Sequence, residues 1–302
     1  MNAVVDEMAQ GSDVLHAEPM ARHTSWRVGG PADVFFKPSN RGELQAFLAA
    51  QPKERPIHWV GLGSNLLVRD GGIRGAVIAT SGLAKELTRL DDLRVRVGAG
   101  LPCMLLARQC VRWQLGPAAF FAGIPGTVGG ALAMNAGAFG EETWQHVESV
   151  ETVDRRGDVR TRARAEFSVG YRSVQGTPAE GFLSGTFRFE PDPAATMAKL
   201  KTMLSRRSAT QPLGEPSCGS VFRNPTGQFA GDLIERAQLK GASVGGAMVS
   251  RKHANFIVNT GAATAADIEA LIYQIRAEVE RRFGVRLELE VRVLGEPLGA
   301  AP

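Results

Sequence analysis

The chain has 302 residues, of which 44% are hydrophobic and 22% are charged. These values are ordinary for a globular protein and exclude disordered and fibrous classes, and the length predicts two or three domains. Thirty-five Lys and Arg against 31 Asp and Glu give a net charge of +4. Because the positive charges are scattered, we expect small anionic ligands and no nucleic-acid partner.

Composition also bears on location and metal content. Cys103, Cys110 and Cys218 stand at no metal-ligand spacing, and neither do the five histidines, so we expect buried cysteines and no metal site. The first 18 residues carry acids and lack the apolar core of a signal peptide. No stretch approaches the roughly 20 apolar residues of a membrane-spanning helix. We therefore expect a cytoplasmic protein without membrane insertion, whose oligomeric state is unknown.

The first third of the chain predicts a small α/β unit. Residues 1–20 are polar and mixed, which predicts a loose lead-in. Apolar periodicity then predicts a strand at 34–36, a helix at 39–50, and strands at 57–60, 66–68 and 76–79.

The remaining elements predict two further units. The pattern predicts strands at 93–97 and 187–189, a helix at 102–113, and a hairpin formed by 147–153 and 159–164. Pro191-Asp-Pro193 marks a domain boundary. Beyond it, helices at 194–207, 230–239 and 264–283 and strands at 256–259 and 285–294 predict a compact α/β domain.

A glycine-rich stretch at 121–140 interrupts this pattern. Gly123, Gly126, Gly129 and Gly130 lie too close together for a helix or strand interior, where each costs about 0.5–1 kcal/mol relative to alanine. Two interpretations stay open. The stretch is either a buried crossover loop, or an apolar surface with bare amides that suits a ligand with phosphates and a flat ring.

A second turn, Gly61-Leu-Gly-Ser-Asn65, begins like a dinucleotide-binding fingerprint. The fingerprint requires a third glycine at position 66 and then a helix, whereas this chain has Leu66 and a predicted strand. The turn is therefore either a plain turn or a nest of amides that holds a pyrophosphate with Ser64 and Asn65.

Three other residue types can carry chemistry. Arg172 has a guanidinium suited to a substrate carboxylate, although a lone arginine is usually a surface residue. Ser220 follows Gly219 in a tight bend without a nucleophile-elbow sequence, so the residues alone favour a turn-stabilising role over that of a protease-like nucleophile. Glu288 and Glu290 lie on the charged face of the alternating segment at 285–294, where they can simply form cross-strand charge pairs.

Seven motifs in order along the chain resemble the UDP-N-acetylenolpyruvoylglucosamine reductase family, the flavoenzymes of early peptidoglycan synthesis. They begin at residues 24, 61, 123, 135, 171, 219 and 287, and read TSWRVGG, GLGSNLLV, GIPGTVGGA, NAGAFG, YR, GSVFRNP and LELEVR. Each motif alone is weak, whereas the ordered set is specific. The resemblance covers the chain from about His23 to Gly295.

The resemblance implies an α+β fold with two functional domains. An FAD-binding domain of the vanillyl-alcohol oxidase (PCMH) type would occupy 21–192, with subdomains at about 21–82 and 83–192, and an α/β substrate domain would occupy 193–302. Noncovalent FAD would be the cofactor and NADPH the hydride donor. The implied cofactor-binding residues are Gly61, Leu62, Gly63, Ser64, Asn65, Gly123, Ile124, Pro125, Gly126, Thr127, Gly129, Gly130 and Asn135.

The implied reaction turns UDP-N-acetylglucosamine enolpyruvate, a UDP-sugar, into UDP-N-acetylmuramate. Hydride adds to the enolpyruvyl double bond, so negative charge builds beside a carboxylate, and the resemblance implies that Arg172 and Glu290 stabilise it. Glu290 can do so only if it is protonated or paired with Arg172. Ser220 matches the proton donor of the family. The implied substrate-binding residues are Tyr171, Gln211 and Asn224.

The chain departs from longer family members and leaves two other functions open. It resembles the shorter subclass, which lacks an inserted substrate-closing loop, and Arg206, Arg207 and Lys252 are candidates by charge to replace that loop. One alternative function is an alcohol oxidase of the same fold. Many such oxidases tether the flavin through a histidine in the first glycine-rich loop, where this chain has Ser64 and Asn65. The other alternative is a non-catalytic UDP-sugar-binding module.

Overall fold

The structure, a computed structural model, describes residues 13–83, 85–176 and 179–299. The described chain divides into two compact units. The first comprises 13–16, 34–62 and the described part of 75–205, and the second comprises 17–33, 63–74 and 206–299. The predicted boundary at 192–193 precedes the end of the first unit, and the functional domain assignment stays a prediction.

The described residues form six α-helices, and the sequence predicts five of them to within three residues at each end. The helices are α1 (Arg41–Ala49), α2 (Cys103–Arg112), α3 (Val128–Met134), α4 (Met197–Thr210), α5 (Ala230–Arg236) and α6 (Ala265–Phe283). The helix that the sequence does not predict is α3, which begins inside the glycine-rich stretch.

The described residues also form twenty short strands and five short 3-10 helices. The first ten are β1 (Asp13–Pro19), β2 (Pro31–Lys37), β3 (Ile57–Val60), β4 (Leu66–Val68), β5 (Ile73–Ala79), β6 (Leu87–Arg89), β7 (Arg94–Gly98), β8 (Leu115–Gly116), β9 (Gly137–Ala138) and β10 (Glu141–Glu142). The others are β11 (Val147–Val153), β12 (Val159–Ala163), β13 (Ser168–Gly170), β14 (Ser173–Gln175), β15 (Gly181–Arg188), β16 (Glu190–Pro191), β17 (Ser243–Val244), β18 (Ala247–Val249), β19 (Ile257–Asn259) and β20 (Arg292–Leu294).

The first unit is organised around an antiparallel sheet in the order β12-β11-β15-β7-β6. The predicted hairpin is its β11–β12 pair, in which Val153 lies opposite Val159. Helices α2 and α3 share one core with this sheet, together with the ring cluster formed by Phe120, Phe121 and Phe187. A second sheet has the order β1-β2-β5-β3, in which β3 and β5 are parallel.

The second unit packs helices α5 and α6 on the antiparallel sheet β17-β18-β19 and on the parallel pair β4–β20. Thr264 and Asp267 form the predicted capping box of α6, and Gly284 ends the helix with a φ of 67°. The carboxylate of Asp70 also accepts the N–H groups of Ala265 and Ala266 at 2.9 Å, so the N-terminus of α6 is fully capped.

The three cysteines are free and buried, as predicted. Burial raises the pKa of the Cys110 and Cys218 thiols to about 12, so they stay protonated and unreactive at neutral pH.

Two predicted segments are wrong in part. Residues 13–19 of the predicted lead-in form β1, because they pair with β2, a partner that no local pattern shows; residues 1–12 lie outside the described residues. The predicted strand at 285–294 is regular only at β20, although Leu287 and Val291 are buried as the alternation requires. Its earlier residues bind the turn at 221–223 instead of a neighbouring strand.

Candidate active-site residues

In the first unit, the two segments predicted to bind the cofactor lie against each other. A Cβ atom on Gly61 would lie 2.7 Å from Oγ1 of Thr127, and the same hydroxyl accepts the N–H of Gly130 at 3.3 Å. Leu62 and Pro125, which flank this contact along the chain, are exposed. The structure therefore brings residues of the two glycine-rich turns together within one unit.

The glycine-rich stretch is not a continuous loop, so the exclusion of a helix was wrong. Gly129 and Gly130 lie in the first turn of α3, which Thr127 caps. The N–H of Gly129 donates to the Ala99 carbonyl at 2.9 Å, and a Cβ on Gly129 would lie 2.9 Å from Cβ of Ala99. This close approach of the helix to the turn that follows β7 offsets the low helix propensity of glycine.

The expected surface of apolar side chains and bare amides is also partly wrong. Ile124 and Val128 are buried in the core. The N–H groups of Ile124, Gly126 and Val128 donate to the carbonyls of Phe121, Ile124 and Leu101. Glycine at 123 serves packing too, since a Cβ there would lie 2.4 Å from Cβ of Ala138. Much of this segment is therefore shaped by the protein's own core.

Gly130 differs from these glycines. The nearest atom to a Cβ built at Gly130 is Oγ1 of Thr127, at 3.7 Å. The backbone needs no positive φ there, and alanine is the better helix former. The protein alone therefore does not require glycine at 130, whereas a flat ring lying on the helix would require it.

In the second unit, the carbonyl groups of Gly63 and Asn65 and the side chain of Asn65 bind the protein. The Asn65 carbonyl accepts the N–H of Arg292 at 3.0 Å, and Nδ2 of Asn65 donates to the Glu290 carbonyl at 3.0 Å. Within the described ranges, the main-chain N–H groups of these three residues donate to no protein acceptor. Three successive free N–H groups with the Ser64 hydroxyl suit an anion such as a pyrophosphate.

Gly63 is also required by the backbone. Its φ is +63°, and a Cβ there would lie 1.9 Å from the His23 carbonyl oxygen. Any side chain would therefore displace the turn from which the free amides project. The glycines and amides of each unit fit an FAD cofactor, although they are held in place by different contacts.

Arg172 is fixed by main-chain carbonyls and a carboxylate. Its guanidinium donates to the carbonyls of Asn135 at 3.4 Å and Gly137 at 3.2 Å, and lies 3.8 Å from the Glu142 carboxylate. It also stands 4.9 Å from the ring centre of Tyr171, which is exposed. Arg172 itself has a φ of 53°, so the turn presents the side chain in a defined direction.

Asn135 links the groups around Arg172. It ends α3 with a left-handed φ of 44° and is 1% exposed. Its Nδ2 donates to the Glu142 carboxylate at 2.8 Å and the Gly170 carbonyl at 3.0 Å, and its Oδ1 accepts the N–H of Trp144 at 3.0 Å. Both amide hydrogens are thus bound to protein, so Asn135 supports the Arg172 turn, and its predicted contact with the cofactor is untested.

In the second unit, Ser220 lies beside the main chain of Glu290. The carbonyl of Val221, the residue after Ser220, accepts the N–H of Glu290 at 2.8 Å. The next pair, Arg223 and Glu288, is joined by an N–H to carbonyl bond of 2.9 Å. The structure therefore brings the segments of two of the three predicted catalytic residues together. The Glu288 carbonyl, which accepts the N–H of Arg223, helps to join these two segments.

The predicted substrate-binding residues are exposed or half-buried. Asn224 is exposed, and its Oδ1 accepts the N–H of Ala230 at the start of α5, which leaves its Nδ2 to a ligand. Oε1 of Gln211 accepts Nε of Arg207 at 2.8 Å, which leaves the Gln211 Nε2.

Two of the three candidate cations for the missing loop hold the end of α4. Lys252 donates to the Ser208 carbonyl, and Arg207 binds Gln211. Burial lowers the pKa of Arg207 from its ordinary value. Arg206 is exposed.

Sequence reasoning missed Asn255 and Glu142. Asn255 is buried beside the Ser220 turn, and its side chain binds the main chain of Phe222 in both directions. The only sequence signal was an asparagine at each end of the predicted strand Phe256–Asn259, which marks a buried polar group without naming its partner.

None of the described helices is long and apolar enough to cross a membrane. A group of three or more His, Cys, Asp or Glu that suits a metal ion does not occur among the described residues.

Comparison with known proteins defines the class first. Residues 32–162 match the family described as FAD binding domain, and residues 211–294 match the C-terminal domain of UDP-N-acetylenolpyruvoylglucosamine reductase. The mixed helix and strand content and these matches confirm the predicted α+β fold with a two-part FAD-binding domain. The chain is an FAD-dependent oxidoreductase.

Full-length relatives then define the family. The chain is 56% identical over 288 residues to the UDP-N-acetylenolpyruvoylglucosamine reductase of Alkalilimnicola ehrlichii, covering 95% of this chain and 96% of the relative. It is 54% identical over 283 residues to that of Methylococcus capsulatus, covering 93% of each. The crystal structure of the Thermus caldophilus reductase, MurB, matches with a TM-score of 0.79 and 33% identity, covering 94% of this chain and 99% of that one. The chain belongs to the UDP-N-acetylenolpyruvoylglucosamine reductase family.

Proposed function

We propose that this chain uses NADPH and noncovalently bound FAD to reduce the enolpyruvyl group of UDP-N-acetylglucosamine enolpyruvate, giving UDP-N-acetylmuramate for peptidoglycan synthesis. The observation that carries the proposal is the Ser220 turn, which hydrogen-bonds to the main chain of Glu290 in a chain whose relatives carry this activity in their names. The proposal includes a cytoplasmic location, which three free cysteines favour.

Two groups of residues are proposed to hold the cofactor. The N–H groups of Gly63, Ser64 and Asn65 would bind the pyrophosphate, and Gly61 and Gly130, which the buried Thr127 joins, would face the ring. Bound FAD, once reduced by NADPH, supplies the hydride that adds to the terminal carbon of the enolpyruvyl double bond.

Arg172 is proposed to stabilise the charge that this addition creates. Negative charge moves onto the carbon beside the carboxylate and onto the carboxylate itself, and a guanidinium can pair with both oxygens of a carboxylate. The carbonyls of Asn135 and Gly137 and the Glu142 carboxylate hold the guanidinium before the reaction begins. A group that is already oriented lowers the barrier without a reorganisation cost, by about 2–4 kcal/mol.

Ser220 is proposed to donate the proton to the carbon beside the carboxylate. A hydroxyl is a weak acid in water, but a developing carbanion is a strong base, so the transfer is feasible over a short distance. Glu290 lies on the segment bonded to the Ser220 turn. Its carboxyl group would assist the enolate only when protonated or paired with a cation, because a bare carboxylate would repel the charge.

Tyr171, Gln211 and Asn224 are proposed to bind the UDP-sugar. Exposed Tyr171 offers a ring and a hydroxyl, and the amide nitrogens of Gln211 and Asn224 remain after their oxygens have been bound by the protein. Donors of this kind suit the oxygens of a diphosphate or a sugar.

Ser220→Ala tests the proposal through its two half-reactions. Anaerobic stopped-flow absorbance should show flavin bleaching by NADPH at the wild-type rate, and reoxidation by the enolpyruvyl substrate slowed by at least about 100-fold. Ser217→Ala, in the same turn, is the matched control and should leave both rates near wild type. If Ser220→Ala slowed both half-reactions equally, the proton-donor assignment would be wrong.

The same experiment separates the alternatives. Flavin that bleaches with NADPH but returns to its oxidised spectrum only on admission of air would support an oxidase of the same fold. A colourless purified protein that binds the UDP-sugar would support the non-catalytic module.

A further inference from the structure

We propose that Asn255 is a positioning residue for Ser220, an inference that rests on the proposed function. Asn255 is 4% exposed and precedes β19. Its main-chain carbonyl accepts the N–H of Val221 at 2.9 Å. Its Oδ1 accepts the N–H of Phe222 at 3.0 Å, and its Nδ2 donates to the Phe222 carbonyl at 2.8 Å. Three hydrogen bonds from one residue thus fix the two residues that follow Ser220.

The chemistry of these bonds requires a carboxamide. Phe222 is 1% exposed, so its N–H and carbonyl have no access to water and need protein partners. At neutral pH, an amide side chain offers one acceptor and one donor in the same plane without a charge, which an ionised carboxylate does not. An ionised aspartate would place a second acceptor against the Phe222 carbonyl, and alanine would leave both backbone groups unpaired, which costs free energy in a buried site.

The position of Ser220 depends on the segment that Asn255 holds. Gly219, just before Ser220, has a φ of +73°, and apart from its two chain neighbours no described residue has an atom within 4 Å of a Cβ built there. Packing at Gly219 itself therefore does not fix the direction in which the chain enters Ser220, although Cys218, one residue earlier, is buried. The chain after Ser220 is clamped, because Val221 binds Asn255 through its N–H and Glu290 through its carbonyl. Asn255 and Glu290 thus fix opposite polar groups of the residue next to the proton donor.

The variants are chosen to distinguish positioning from general stability. Asn255→Ala should leave flavin reduction by NADPH within about threefold of wild type and slow substrate-dependent reoxidation by about 30-fold at saturating substrate. Asn255→Asp should show the same loss at neutral pH. On acidification, the reoxidation rate of Asn255→Asp should approach that of the wild type measured at the same pH. The carboxyl group then becomes protonated, and its O–H donates to the Phe222 carbonyl.

Asn259→Ala is the matched control. Asn259 is also buried in the second unit, and its side chain also makes three bonds to main chain, donating to Trp26 and accepting from Gly261 and Ala263. None of these partners adjoins Ser220. Melting curves for both alanine variants should show comparable destabilisation, and kinetics are compared at a temperature where all variants are folded. If Asn259→Ala slowed substrate-dependent reoxidation relative to flavin reduction as strongly as Asn255→Ala does, the proposal would be overturned.

A double variant separates this inference from the proposed function. If Asn255 acts through Ser220, then Ser220→Ala with Asn255→Ala should be no slower in substrate-dependent reoxidation than Ser220→Ala alone. Losses that multiply would overturn the positioning role while leaving Ser220 as the donor. If Ser220→Ala alone had the wild-type rate, the donor assignment itself would be wrong, and the positioning role with it.

Discussion

Gly130 offers the sharpest test of the proposed flavin surface. The position lies in the first turn of α3 without positive φ, and the nearest atom to an added methyl group would be 3.7 Å away. Glycine in a helix costs about 0.5–1 kcal/mol relative to alanine. Gly130→Ala should therefore raise the free energy of unfolding of the flavin-free chain by about that amount.

The adjacent Gly129 gives the opposite expectation and serves as the matched control. A Cβ at Gly129 would lie 2.9 Å from Cβ and 3.2 Å from the carbonyl oxygen of Ala99, which is tighter than contact distance. Ala99 is fully buried in the turn after β7 and cannot move away freely, so Gly129→Ala should lower the free energy of unfolding by about 1–3 kcal/mol, the usual cost of overpacking.

Alanine at position 130 should be better than glycine for the stability of the flavin-free chain but worse for binding FAD. A methyl group on the face where we place the ring would push the flavin away, so the FAD dissociation constant of Gly130→Ala should rise at least about 10-fold, or 1.4 kcal/mol. Urea unfolding of the flavin-free chains gives the stabilities, and quenching of flavin fluorescence on titration gives the dissociation constants. Wild-type FAD affinity in Gly130→Ala would show that the ring does not lie on this turn. Lower stability in the flavin-free variant would refute the space argument itself.

Three further predictions concern the supports of the site. Asn135→Ala removes three hydrogen bonds of a buried side chain and should lower the free energy of unfolding by about 2–4 kcal/mol. In stopped-flow experiments, this variant should slow flavin reoxidation by the substrate more than flavin reduction by NADPH. Equal slowing of the two half-reactions would contradict the link between Asn135 and Arg172. Asp70→Ala should lower the free energy of unfolding, measured in urea, by about 1–2 kcal/mol, as the loss of a helix cap does. An unchanged free energy of unfolding would contradict the capping role of Asp70. Burial, with nearby Lys240, lowers the pKa of His253 from its ordinary value of 6.5. On acidification, the unfolded chain therefore takes up a proton at this histidine at a higher pH than the folded chain does, and the free energy of unfolding should fall as the pH drops below about 6.5. His253→Asn should flatten that dependence in urea midpoints, and an unchanged slope would contradict the assignment.

Sequence periodicity predicted five helices because apolar residues recur at helical spacing in each, and some also carry end signals. In α6, for example, Thr264, Asp267 and Gly284 mark both ends within the segment itself. The helix α3 was missed for the opposite reason. Its glycines oppose helix formation locally, and the contact that compensates, between Gly129 and Ala99, joins residues 30 positions apart. Such a contact leaves no periodic trace in the sequence.

Burial was predicted more faithfully than hydrogen bonding. In the segment at 285–294, Leu287 and Val291 are buried as the alternation indicates, yet the main chain binds a turn rather than a strand. Alternation of apolar and polar residues reports an extended backbone with one face covered. It does not report which neighbour supplies the hydrogen bonds, so the regular strand is shorter than predicted.

In the candidate site, too, the sequence indicated the side chains that carry chemistry but not the hydrogen bonds that hold them. Arg172, Ser220 and Glu290 were predicted from side-chain chemistry and a family resemblance. Asn135 and Asn255, which support the segments around these residues, act mainly on backbone groups, and the partners of their side chains lie up to 35 positions away along the chain. One sequence cannot distinguish a buried asparagine of this kind from a turn residue, because both occur beside glycines and strand ends.

The two asparagines suggest a common physical reason for their use. Asn135 supports the turn that carries Arg172 in the first unit, and Asn255 supports the turn that carries Ser220 in the second. A buried carboxamide can pair with a backbone N–H and a backbone carbonyl at once, and it brings no charge that burial would penalise. Groups fixed in this way need not reorganise when charge develops on the substrate, and this pre-organisation is the main source of electrostatic catalysis. We therefore expect substitutions that keep the size of these side chains but change donor into acceptor to affect the reaction more than the folding of either unit.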